Sequence, residues 1–203
     1  MKKINLRNDK IKYWFLESHE FNGPRDKGKL EPIYTELYNI LINSTPDKIV
    51  ELGMGSGACT IAMARALQEK NEKGNIKAFD TFRLWGSSDL VFNKIKLRGL
   101  ESFVDIHGGD VFETWVKNPT EFDFLFIDID NVWETIYRIV IENEYINKQI
   151  KDGAVVYFEG GSENHPRVNK TTLKNFHNNL GKEVFRFEHL SGTRVSLSKL
   201  ELI

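Results

Sequence analysis

Apolar positions change their spacing along this chain, and each change marks an element. Residues 10–20 form an aromatic-rich helical stretch with Tyr13, Trp14 and Phe15, followed by a breaker-rich loop over 22–29. Residues 31–42 carry Ile33, Leu37, Ile40 and Leu41 at helical spacing, with Pro32 tolerated in the first turn. A short apolar run at 48–52 then predicts a strand, and 58–70 return to helical spacing. From there the two patterns alternate. Strands are expected at 76–80, 103–107, 122–128 and 154–159. Between them lie a helix capped by Ser87 or Ser88 and ending near Gly99, a short helical stretch at 111–116, and one long helix over 132–150. A polar loop over 160–170 and a helix over 171–180 precede a hairpin, with strands at 183–189 and 194–200 turning at Ser191 and Gly192.

Strand–helix alternation of this kind gives an α/β fold: a doubly wound, mostly parallel sheet, here seven-stranded with a C-terminal antiparallel hairpin. The strand at 122–128 has almost no polar interruption, as expected where helices cover both faces of the sheet. Ligands of such sheets bind beyond the carboxyl ends of the strands, near the switch point. Glu51, Asp80, Asp110, Asp128 and Glu159 all stand at those ends or just past them, which folding alone does not explain. The run Ile49-Val50-Glu51-Leu52-Gly53-Met54-Gly55-Ser56-Gly57-Ala58 is the densest signal. Its three alternating glycines allow a sharp turn and a close ligand, and the helix that follows points its free N–H groups into the same space. One glycine suffices for a turn, so three favour ligand contact.

Bulk properties narrow the field. The chain has 203 residues, enough for one domain with a substantial core, and a formal net charge of −1. That balance argues against a dedicated nucleic-acid binder. The single Cys59 cannot form an intramolecular disulfide and fits a reducing cytoplasm; its place on the helix after the glycine loop suggests packing. No apolar run is long enough to span a bilayer, and the N-terminus lacks the apolar core of a signal peptide.

The pattern E-x-G-x-G-x-G resembles motif I of the class I S-adenosylmethionine-dependent methyltransferases. The later strand ends, Asp80, His107-Gly108-Gly109-Asp110-Val111, Asp128 and Glu159, follow that family's order from about residue 47 onward. The resemblance implies a Rossmann-like methyltransferase fold, with residues 1–45 as a helical cap and 46–203 as the catalytic domain. It implies that Glu51, Gly53, Gly55, Ser56 and Gly57 hold the methionine end of S-adenosylmethionine. Asp80 and Thr81 would hold the ribose, and Asp110 and Val111 would lie near the adenine. Asp128 would border both cofactor and acceptor. Loops closest in look are those of bacterial O-methyltransferases acting on sugars and other natural products. They imply a small-molecule oxygen acceptor, no nucleic acid or membrane partner, and a homodimer as in many relatives.

Many such enzymes bind a metal through an acid at the place of Asp128 and two further residues ending strand five. Here those two are Glu159 and Gly160, so Mg²⁺ on Asp128 and Glu159, with help from Asp130, is an incomplete set. The Lys or His that often serves as base is Asn131 in this chain. His165 is the best substitute by position and intrinsic pKa, ahead of His19 and His107. Arg25, Lys27 and Lys29 are candidates for contact with an anionic substrate, and Phe82 and Trp85 for stacking or for covering core. Two rivals stand beside this reading. One is a nicotinamide-dependent oxidoreductase, which Glu51 at the strand tip disfavours. The other is a non-catalytic binding protein on the same fold.

Overall fold

A computed structural model describes residues 33–70, 74–84, 87–129, 132–190 and 197–203. The predicted helix at 10–20, the loop at 22–29, Trp85, Asp130, Asn131 and the Ser191-Gly192 turn lie outside the described residues. The chain runs through α1 (Ile33–Ile42), β1 (Lys48–Leu52), α2 (Ala58–Lys70), β2 (Asn75–Asp80), α3 (Ser88–Lys96) and β3 (Val104–Gly108). A single π-helical turn (Phe112–Val116) leads to β4 (Phe124–Ile127), α4 (Trp133–Val140), α5 (Glu144–Lys151) and β5 (Val155–Glu159). The chain closes with α6 (Lys170–Leu180), β6 (Phe185–His189) and β7 (Leu197–Leu202).

The seven strands form one sheet in the order β3-β2-β1-β4-β5-β7-β6. β1 pairs parallel with both β2 and β4, and the order reverses there. β7 inserts antiparallel between β5 and β6, so the hairpin contributes the one antiparallel strand of the sheet.

Alternation along the strands assigns each face to its helices. Ile49, Ile76, Phe124, Phe126 and Tyr157 face the layer of α1, α2 and α3, with Leu37, Leu41, Ile61, Leu67, Val91 and Ile95. Val50, Leu125, Ile127, Val156 and Phe158 face α4 to α6, with Trp133, Ile136, Ile139, Ile146 and Phe176. Helix α1, the described part of the predicted cap, is built into the first layer: Leu37, Tyr38 and Leu41 are fully buried.

Boundaries follow local signals closely, with one correction. Ser87 caps α3, its side chain accepting from the Leu90 N–H, and Asn169 caps α6 by accepting from the Thr172 N–H. The expected single helix over 132–150 is two helices, α4 and α5. The Ile141 and Glu142 N–H groups both donate to the Tyr137 carbonyl, ending α4. Asn143 then adopts an extended backbone, accepts the Ile146 N–H through Oδ1 and donates through Nδ2 to the Val116 carbonyl. A short amide side chain that satisfies backbone groups on both sides stops one helix and starts the next.

Candidate functional site

Period-two alternation brings the acids together. Glu51 follows Ile49, Asp80 follows Ile76 and Ala78, Asp128 follows Phe124 and Phe126, and Glu159 follows Tyr157, all of them residues of the α1–α3 layer. The register sets the Leu52, Ile127 and Phe158 positions side by side across β1, β4 and β5. All four carboxylates therefore gather at one end and on one face of the sheet, over the start of α2.

Glu51 is fully buried. Its Oε2 accepts a hydrogen bond from Thr60 Oγ on α2 at 2.5 Å, while Oε1 is buried without a partner. Burial, opposed by the Thr60 bond and reinforced by the Asp80 charge, pushes its pKa up to about 8. An orphaned buried acceptor at a strand tip is the place for a cationic or hydrogen-donating ligand group. Thr60 escaped sequence reasoning, although a hydroxyl inside a helix of Ala, Ile and Met was a visible signal. Cys59 beside it is buried, and burial with the Glu51, Asp128 and Glu159 charges raises its thiol well above the ordinary range. A thiol held protonated is a packing group and a poor nucleophile.

The glycine loop is shaped partly by the protein itself. Gly53 has φ +90°, and a Cβ there would stand 2.0 Å from the Asp128 carbonyl oxygen. At Gly57, φ is +83° and a Cβ would meet Val91 Cγ1 at 2.6 Å. Two of the three glycines are thus required by the approach of β4 and α3, which weakens the inference from their number alone. Gly55, with φ +54°, remains for the cleft: its N–H donates to Asp80 Oδ2 at 2.7 Å. Ser56 is buried, and Lys94 donates to its carbonyl at 3.0 Å.

Asp80 Oδ1 accepts from the Phe82 N–H at 2.5 Å, and its carbonyl accepts from the Gly109 N–H at 2.9 Å. Backbone N–H groups on two sides fix this carboxylate, and Phe82, one of the donors, has φ +54°. Phe82 packs against the α1–α3 core, the covering role of the two weighed for it. Thr81 is exposed, and its hydroxyl lies 3.5 Å from the Arg83 N–H. Asp110 caps the turn after β3, its Oδ1 accepting from the Phe112 N–H at 2.8 Å, and Val111 is buried. His107 stacks on Phe79 at 4.7 Å and lies 3.0 Å from Asp105 Oδ2. Phe79 belongs to the α4–α6 face, so His107 stands away from the four acids.

Asp128 and Glu159 meet across β4 and β5. Burial, the Glu159 charge and a hydrogen bond to Glu159 hold the Asp128 carboxyl well above its ordinary range. For Glu159, burial is outweighed by hydrogen bonding to Asp128 and by His165 and Arg167, which hold it low. The two shifts run in opposite directions, as expected where two buried carboxyls lie side by side and resist ionising together. His165 is buried, its Nε2 4.0 Å from Glu159 Oε1. Nδ1 accepts the backbone N–H groups of Val168 at 2.9 Å and Arg167 at 3.2 Å.

Of the metal set that the resemblance implies, the described residues supply only the two carboxylates Asp128 and Glu159. Mg²⁺ demands near-octahedral oxygen ligands. Gly160 has φ +122°, and a Cβ on it would stand 2.5 Å from Val168 Cβ, so packing excludes a third ligating side chain there. Among the described residues, no group of three or more His, Cys, Asp or Glu is arranged to hold an ion. Also among them, no helix is long and apolar enough to cross a membrane.

Residues 50–159, which span β1 through β5, match the family described as the methyltransferase domain. No curated protein matches the chain. The O-methyltransferase TomG from Streptomyces achromogenes, involved in tomaymycin synthesis and solved with SAM, is 18% identical with a TM-score of 0.61, covering 98% of this chain and 92% of that one. An O-methyltransferase from Bacillus cereus in complex with SAH is 17% identical with a TM-score of 0.62, over 98% and 94%. The SAH-bound methyltransferase PaMTH1 from Podospora anserina is 14% identical with a TM-score of 0.65, over 94% and 88%. Likeness at this level of identity shows a shared fold.

Proposed function

This chain belongs to the methyltransferase-domain family, and we propose that it transfers a methyl group from S-adenosylmethionine to the oxygen of a small-molecule acceptor. The observation that carries the reading is Glu51: a fully buried carboxylate with one oxygen unpartnered, beside a glycine loop and in line with Asp80. A dinucleotide pyrophosphate brings no cation to draw the proton off this acid, and it would meet a like charge once the acid ionised. An ammonium group satisfies it.

In this reading Glu51 and the loop 53–57 hold the methionine end, Asp80 and Thr81 the ribose, and Asp110 and Val111 the adenine edge. Asp80 suits its part because two backbone N–H groups already orient its oxygens, so little order is lost on binding. Bound there, S-adenosylmethionine would supply a methyl group already activated by its sulfonium, with sulfur keeping the C–S electron pair. The protein's contribution is alignment. Asp128 and Glu159 face the acceptor and receive its hydroxyl. The oxonium left after transfer is far more acidic than any carboxylic acid, so even a carboxylate held as low as Glu159 takes its proton. No base has to act beforehand, which answers the absence of one at position 131.

Titration calorimetry with S-adenosylhomocysteine, and with NADH and NADPH in parallel, tests the reading. Binding of the first ligand alone is expected. Binding of a nicotinamide cofactor instead overturns the assignment.

A further inference from the structure

The loop after β5 is tied together through one imidazole. The His165 N–H donates to the Ser162 carbonyl at 3.2 Å, and its carbonyl accepts from Asn169 Nδ2 at 3.1 Å. Its Nδ1 accepts from both Val168 and Arg167 backbone N–H groups. A ring nitrogen that accepts cannot carry the proton, so neutral His165 is protonated at Nε2. Nε2 itself stands on the Glu159 side, 4.0 Å from Oε1. The Glu159 side chain is 15% exposed, so it is not sealed into the core as His165 is.

We propose that His165 is a positioning residue: its backbone-locked ring holds the Glu159 carboxylate in place for an acceptor group that bears hydrogen on oxygen or nitrogen. The proposal rests on the methyl-transfer reading above. It replaces the part of general base expected for His165. A base needs a free lone pair at Nε2. Freeing it moves the proton to Nδ1, which then faces two N–H groups and loses both bonds. At 4.0 Å the Nε2–Glu159 contact is longer than a hydrogen bond. Such contacts are often long in ligand-free sites and tighten on loading.

The rival is that His165 merely staples its loop. Two substitutions separate the roles, because Asn places an acceptor near Nδ1 and stops short of Glu159, whereas Gln reaches toward Nε2 and leaves the two N–H groups unanswered. The probes are S-adenosylhomocysteine and sinefungin, the analogue with a protonated amine where the methylsulfonium stands. Neither requires a known acceptor. The wild type is expected to prefer sinefungin by about tenfold, the worth of one hydrogen bond to a charged group. His165→Asn should keep its melting temperature and its S-adenosylhomocysteine affinity but lose that preference. His165→Gln should melt lower and retain it. Glu159→Gln, a second variant that leaves His165 intact, should also lose the preference. An unchanged ratio in His165→Asn or in Glu159→Gln overturns the inference alone, since both ligands still bind. Failure of the wild type to bind either ligand overturns the methyl-donor reading and this inference with it.

Discussion

On the β1–β2 side of the cleft, Glu51 leaves an oxygen unpartnered and Asp80 is oriented by the N–H groups of Gly55 and Phe82. On the β4–β5 side, Asp128 and Glu159 answer each other, with His165 behind them. The first half carries unmet bonding capacity, which in the proposed function a ligand completes. The second half is largely satisfied without one. Damage to the first half should therefore appear as lost affinity, and damage to the second as lost alignment with affinity kept.

The largest effect is expected where the halves touch. Gly53→Ala places a methyl group 2.0 Å from the Asp128 carbonyl at a φ of +90°, so β1 and β4 must part. A loss of about 5 kcal/mol or more is expected, near the whole stability of a domain. A variant that melts near the wild type in scanning calorimetry would break the claim that the halves abut there.

Glu51 comes next, through pH. Its folded pKa lies above its ordinary 4.5, at about 8. Between those values the folded protein holds a proton that the unfolded chain has released, so stability falls as pH rises through the window and levels off above 8. Glu51→Gln removes that slope and should stabilise the ligand-free protein by about 3 kcal/mol at pH 7. Denaturant melts across pH 4 to 9 check this; parallel slopes in both proteins would place Glu51 in solvent contact. Because an ammonium ligand favours the ionised carboxylate, S-adenosylhomocysteine binding at pH 7 should also release a proton, visible as a dependence of binding heat on the buffer.

Asp80→Ala removes the acceptor of two N–H groups and should weaken S-adenosylhomocysteine roughly 30-fold, about 2 kcal/mol. Unchanged affinity there would sink the ribose assignment. Asp128→Asn gives the smallest effect on this measurement, within about threefold, since the second half serves alignment. With an acceptor in hand, the same variant should lose far more in kcat. Full turnover would remove Asp128 from the site.

Much of the first half was legible because its signals are local. The glycines, Glu51 and the capping Ser87 act within a few residues of themselves, and strand ends announce themselves where apolar runs stop. The helix break at Asn143 was missed because the apolar pattern runs on across it, while the hydrogen bond that helps seat Asn143 goes to Val116. The reason for Gly53 was hidden for the same cause: the atom that demands glycine belongs to Asp128, on another strand. Gly160 reads in sequence as an absent ligand. In the fold it is a position where Val168 leaves no room for a side chain.

By itself, then, the sequence determined the alternation of strands and helices, the doubly wound sheet and the carboxylates at its strand ends, because period and capping are properties of neighbouring residues. Tertiary structure alone decided that four of those carboxylates share one face, that burial and contact push the Asp128 and Glu159 carboxyls in opposite directions, and that the His165 ring presents Nε2 to Glu159. These depend on strand register, burial and backbone contacts between distant segments, and nothing in the order of residues along the chain records them.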